Sequence, residues 1–251
     1  MNVTNIIKDA GGLIAYANLV CRMVETQEYA ATTYLVDDLE EQAILEQILD
    51  DFKHSYVDDT QDLHYLISSP FRYPPLKYGS RFGSITEPSY FYASESIQTC
   101  LAEAAFYRFY LIDGTETPFP KVIQSEHSLF FVKVSSSNTL DLTQISDTSI
   151  QQQLTDPQYY SLTQKVGLHA RQNGVDLLRY YSARCQAQGV NVAIDNHTLI
   201  QSEQPEYKEE YICQLDPQTG ILRFSQPRNF PVMFTKNQFL VKGNLPLLGK
   251  Y

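Results

Sequence analysis

The sequence predicts an α+β fold, a mixed β-sheet core with flanking helices and an N-terminal helical extension. Three observations carry that reading. The first 55 residues repeat apolar side chains at helical spacing, and eight short β-like runs separated by Pro and Gly follow residue 70. Two more helical segments interrupt those runs without regular alternation, which argues against a doubly wound parallel sheet.

From Asn5 to Glu25, the residues Ile6, Ala10, Leu13, Ala17, Val20 and Val24 recur every three or four positions. This spacing predicts an amphipathic helix weakened at Gly11 and Gly12. A second helix is expected from Asp37 to Ser55. Asp37, Asp38, Glu40 and Glu41 suit a helix N-terminus, and Ile44, Leu45, Ile48, Leu49 and Phe52 share one face. Residues 1–60 thus read as a helical extension and 61–251 as the main domain. Within the latter, strands are expected at Tyr90–Ala93, Leu129–Val134, Thr139–Leu142, Leu177–Tyr181, Val190–Ile194, Glu210–Gln214, Ile221–Phe224 and Val232–Phe234. Helices are expected at Glu95–Leu111 and Pro157–Asn173, the second closed by Gly174 as a left-handed cap. Gln201–Glu210, acidic and containing Pro205, reads as an exposed loop.

Composition limits the function. A chain of 251 residues, 43% of them hydrophobic, is long enough to bury a substantial core. Its net charge of −10 excludes a sequence-independent grip on nucleic acid, which needs clustered Lys and Arg. Cys21, Cys100, Cys185 and Cys213 form no CxxC pair, and the five histidines lack ligand spacing, so no metal site is expected. Scattered thiols of this kind fit a reducing, cytoplasmic setting. Leu13–Cys21 is too short to span a bilayer, and neither a signal segment nor a membrane association is expected.

The chemistry concentrates between Phe71 and Arg108, in FRYPPLKYGSRFGSITEPSYFYASESIQTCLAEAAFYR. Arg72, Arg81 and a cluster of tyrosines accompany Glu103, a carboxylate on an otherwise apolar helix, and a buried carboxylate needs a partner or a purpose. Arginine offers forked donors matched to phosphate oxygens, and tyrosine offers a face to a cationic ring. Further along, Tyr180, Tyr181, Arg184 and Asn191 lie where they could reach the same cleft.

GSRFG at Gly79–Gly83, YFYAS at Tyr90–Ser94, CLAE ending at Glu103, and the run from Tyr159 to Ile194 containing RYYSARCQAQGVN occur in one order. Together, over about residues 70–195, they resemble the RES domain, the toxin half of bacterial toxin–antitoxin pairs. The resemblance implies an ADP-ribosyltransferase-like fold and consumption of NAD as substrate, without metal. The reaction is phosphorolysis or hydrolysis of the nicotinamide–ribose bond, or alternatively ADP-ribosylation of a protein; a non-catalytic module that binds a nucleotide or a partner is the reading from another class. It places the family's arginine on Arg81, its tyrosine on Tyr92, its helix glutamate on Glu103 and its serine on Ser182, with Arg72 matching a further upstream arginine. Arg72 and Arg81 would hold phosphates, Tyr92 would stack on nicotinamide and Glu103 would stabilise the ribosyl cation. Ser182 would contact the ligand or position Glu103. The chain departs from the family where Phe82 and Gly83 stand in place of a frequent Trp–Asn pair. A cognate antitoxin with a helix-turn-helix domain is the implied partner, and the N-terminal helices are candidates for docking it or for homo-oligomer contacts.

Overall fold

The computed structural model describes residues 3–26, 38, 40–41, 44–45, 47–48, 59–116 and 119–249. In chain order the elements are α1 (Val3–Asp9), β1 (Leu13–Glu25), α2 (Tyr65–Arg72), β2 (Phe91–Ser94) and α3 (Ile97–Asp113). Next come β3 (Ile123–Asp141), α4 (Thr148–Leu154), α5 (Ser161–Gln172), β4 (Leu177–Tyr181) and β5 (Val190–Ile194). The chain finishes with β6 (Tyr207–Asp216), β7 (Ile221–Ser225) and β8 (Val232–Thr235). Mixed parallel and antiparallel pairing with helices on the sheet confirms the α+β class.

One expectation is overturned at the start. Residues 13–25 form a strand, and the helix stops at Asp9 because Gly11 and Gly12 take left-handed φ values of +81° and +89°. The helical spacing was coincidental. Leu19, Cys21 and Met23 pack on one apolar core while Tyr16, Val20 and Val24 pack on another, and apolar residues on both faces of the strand hide the alternation that would have revealed it. The N-terminal segment is therefore built into the sheet rather than added to it. Of the second expected helix, 37–55, most lies outside the described residues; Glu40, Glu41, Ile44, Leu45, Gln47 and Ile48 are helical.

The sheet order is β1-β2-β5-β4-β3-β6-β7-β8, and β1 pairs with β3 as well, so its first five strands close into a ring. Twelve residue pairs join β1 to β3, whereas β1 meets β2 only at Cys21–Ser94. One core draws on every strand of the ring through Val20, Phe91, Phe130, Leu177 and Val192, and α2 closes it with Leu66 and Ile67. On another face α3 buries Leu101, Ala105, Phe106 and Phe109 against Leu215, Phe224, Phe234 and Phe239. The two runs expected at 129–134 and 139–142 belong to the single 19-residue β3, and β6 begins at Tyr207, inside the expected loop. Neither α2, which carries Pro70, nor the short α4 was anticipated.

An ion cluster ties the ring together. Arg179 on β4 donates to both oxygens of Glu95 at 2.8 and 3.0 Å and to Asp141 Oδ2 at 2.9 Å, while the Tyr16 hydroxyl donates to Glu95 Oε1. Four strands or their ends meet in that group.

Candidate functional site

Strand parity builds the floor of the site. Tyr92 and Ser94 alternate with the core residues Phe91 and Ala93, and antiparallel pairing sets Ser94 against Asn191 and Asn191 against Tyr180. Across-strand partners share a face. Tyr92, Ser94, Tyr180 and Asn191 therefore border one cleft of about 500 Å³. Its wall is α3, started by the Ser96 side chain, which accepts from Thr99 N. Cys100, Glu103, Ala104, Tyr107, Arg108 and Leu111, spaced by three and four, form the stripe that faces the cavity.

Glu103 is half-buried and held from one side. Its Oε1 accepts from Ser182 Oγ at 2.6 Å and from Asn191 Nδ2 at 2.7 Å, and Asn191 Oδ1 accepts in turn from Ser94 Oγ at 2.7 Å. Oε2 has no protein partner among the described residues and remains available to the cleft. Ser182 is fully engaged. It gives its proton to Glu103 while its oxygen accepts from the backbone N–H groups of Arg184 and Cys185, both at 3.0 Å. A hydroxyl so occupied, and only 5% exposed, holds one oxygen of the carboxylate in place.

The GSRFG turn supplies the opposite rim. Gln164 on α5 donates to the carbonyls of Tyr78, Ser80 and Gly83, and the Tyr92 hydroxyl accepts from Phe82 N at 3.1 Å and shares a 2.8 Å hydrogen bond with Ser80 Oγ. Burial pushes the Tyr92 phenol up to about 12, so it stays protonated and keeps this clasp. Gly79 adopts φ +69°, and a Cβ there would meet Gly83 O at 2.4 Å. Phe82 is wholly buried, edge-on to Tyr180, and packs in the core rather than lining the cleft.

Arg81 leaves this turn toward the cavity. Its Nη1 donates to Leu154 O at 3.0 Å and Asp156 O at 3.1 Å, with the guanidinium 4.9 Å from the Tyr160 ring centroid. Arg184 is fixed beside the same turn, donating to Pro157 O at 2.9 Å and lying 3.6 Å over the Phe106 ring. Carbonyls and rings orient both side chains, neither of which has a carboxylate partner among the described residues, and burial works against the Arg184 charge. Four arginines, Arg22, Arg81, Arg108 and Arg184, line the cleft against two glutamates, Glu25 and Glu103. In an acidic protein this is a local excess of positive charge, although Arg108 is paired with Glu25.

Of the residues singled out from sequence, Arg81, Tyr92 and Glu103 converge on one cavity, and Ser182 lies beneath it holding Glu103. Arg72, the other expected phosphate ligand, ends α2 and lines no part of the cavity. Arg184 and Asn191, weighed from the sequence, both reach it. Arg22 went unnoticed because β1 was read as a helix; its Nη1 donates to Tyr92 O at 2.7 Å and its guanidinium lies 5.3 Å from the Phe91 ring centroid. Among the described residues no cluster of three or more His, Cys, Asp or Glu side chains is disposed to hold a metal, and no helix is long and apolar enough to cross a membrane.

The family model described as the RES domain matches residues 57–216. Among solved structures, the M. tuberculosis MbcT–MbcA toxin–antitoxin complex is similar at a TM-score of 0.45 and 13% identity, over 85% of this chain and 93% of that one. No curated protein matches.

Proposed function

The chain belongs to the RES domain family, and from that membership and the cleft geometry we propose that it cleaves the nicotinamide–ribose bond of NAD. The observation that carries this reading is Glu103. One of its oxygens is fixed by Ser182 and Asn191, the other has no protein partner among the described residues, and Arg81 and Arg184, without carboxylate partners among the described residues, line the same cavity.

When the bond from ribose C1 to the pyridinium nitrogen breaks, its electron pair leaves with neutral nicotinamide and the ribosyl centre becomes oxocarbenium-like. Glu103 Oε2 stabilises that developing positive charge or holds a ribose hydroxyl. Arg81 and Arg184 bind the phosphate attached to the same ribose through their remaining donors. The Tyr92 ring attracts the pyridinium before departure, worth about 1–2 kcal/mol when water is excluded. Phosphate or water then forms the new bond to C1 and releases a proton.

Purified protein incubated with NAD, with and without inorganic phosphate, will release nicotinamide, and the second product will identify the acceptor. Glu103→Gln will lower kcat about 10²–10³-fold with the fold retained, as expected for one preorganised electrostatic group. Undiminished turnover in that variant, or no nicotinamide release by the native protein, would refute the reading. In cells the activity is that of a toxin, with growth arrest on expression relieved by Glu103→Ala and by a cognate antitoxin that occludes the cleft.

A further inference from the structure

The chain beyond β8 returns to the site. Val241 N donates to Asn244 O at 2.8 Å and Asn244 N to Val241 O at 3.2 Å, around Lys242 and Gly243, whose φ values of +52° and +83° are both left-handed, as a tight two-residue reversal requires. This reversal turns residues 245–249 back onto the core. Leu245 and Leu248 are buried in the same cluster as Phe106 and Phe109 of α3, the helix that carries Glu103, and Tyr78 packs against that cluster too.

Gly249 meets the rim of the cleft from behind. It takes φ +68°, and a Cβ added to it would lie 2.6 Å from Tyr78 Cβ and 3.1 Å from Tyr78 O. That carbonyl is one of the three that Gln164 holds, and Tyr78 itself lines the cleft three residues before Arg81. The GSRFG turn is thus gripped by α5 through Gln164 and by 245–249 through Tyr78. None of 245–249 lines the cleft, so any effect on the ligand passes through the turn. The donors that hold Glu103 stand elsewhere, Ser182 after β4 and Asn191 on β5.

We infer that 245–249 positions Arg81: Leu245 and Leu248 anchor the segment in the core behind α3, and Gly249 seats Tyr78, which sets where the turn presents its guanidinium to a phosphate. This rests on the NAD-cleaving reading and adds a positioning element outside residues 57–216, the span matched by the family model.

Two measurements on the full chain test it. In the first, KM and kcat for NAD are determined in the native protein, Gly249→Ala, Arg81→Ala and the double variant. Gly249→Ala will raise KM about tenfold, the weight of one weakened charged hydrogen bond, and leave kcat within about twofold. With Arg81 already replaced, the same substitution will change KM by less than about twofold, because the group it displaces is gone. A rise of equal size in both backgrounds would show a merely structural segment and overturn the inference, as would an unchanged KM. In the second, hydrogen exchange of the native protein and of Arg81→Ala is followed with and without inorganic pyrophosphate, a probe of the phosphate grip that needs neither cleavage nor an altered Gly249. Coupling between two sites is reciprocal, so pyrophosphate will slow exchange of the 245–249 amides in the native protein and not in Arg81→Ala. Exchange there indifferent to pyrophosphate would overturn the inference. Should NAD release no nicotinamide while that protection is seen, the positioning role stands and the cleavage reading falls.

Discussion

Glu103 is where local chemistry is densest, and its behaviour depends on two neutral donors. Hydrogen bonds to a charged group are worth about 1.5–3 kcal/mol, so losing either donor costs roughly ten- to a hundredfold if it matters only when charge develops. Ser182→Ala is expected to lower kcat by that factor with KM nearly unchanged, and Ser182→Thr, which restores a hydroxyl, to recover much of it. Asn191→Asp is expected to be worse than Asn191→Ala, since it sets an acceptor 2.7 Å from Glu103 Oε1 where a donor stood. Steady-state kinetics on the four variants separates this positioning role from general loss of structure, which would raise KM and lower kcat together. Residue identity at this scale was legible. Arg81, Tyr92, Glu103 and Ser182 stood out by type, order and resemblance, but that Ser182 spends both its proton and its acceptor capacity could be seen only with the 182–185 turn folded.

Among elements, the contact between α5 and the GSRFG turn controls where Arg81 points. Gly167 on α5 lets the helix approach so closely that an added Cβ would lie 1.9 Å from Phe82 O. Gly167→Ala must therefore push α5 from the turn, disturbing the three Gln164 hydrogen bonds and the buried Phe82. Overpacking of this kind costs about 1–3 kcal/mol. Urea unfolding is expected to show a lower midpoint, and NAD turnover to fall more than the stability loss explains; a midpoint equal to that of the native protein would show that the helix shifts freely. The two helices flanking the site, α3 and α5, were readable within a few residues from periodicity and the glycine at 174. β1 was not, since apolar residues on both its faces hide the period of two, and with it Arg22 was hidden as well.

Across the whole molecule, buried ionisable groups set the pH range in which the fold is stable. His127 on β3 is 4% exposed, packs edge-on to Phe224 and shares a 2.9 Å hydrogen bond with Ser125 Oγ. Burial, with a smaller effect from Arg108, lowers its pKa from 6.5 to about 4. Between those values the unfolded chain binds the proton and the folded chain does not, so stability is complete above about pH 6.5 and falls as the pH drops toward 4. The urea midpoint is expected to decline over that window in the native protein and less steeply in His127→Asn; parallel declines would assign the loss to other groups. By itself the sequence determined the α+β class, most strand positions and the acidic balance, and it singled out Arg81, Tyr92, Glu103 and Ser182, which meet at the cleft, because these follow from local periodicity, composition and short motifs. Only the tertiary structure decided that β1 closes the ring and that Arg184 and Arg22 rather than Arg72 face the cleft. Those are consequences of strand register and of helices docking across gaps of more than a hundred residues, and no local pattern in the chain encodes which distant backbone will lie alongside.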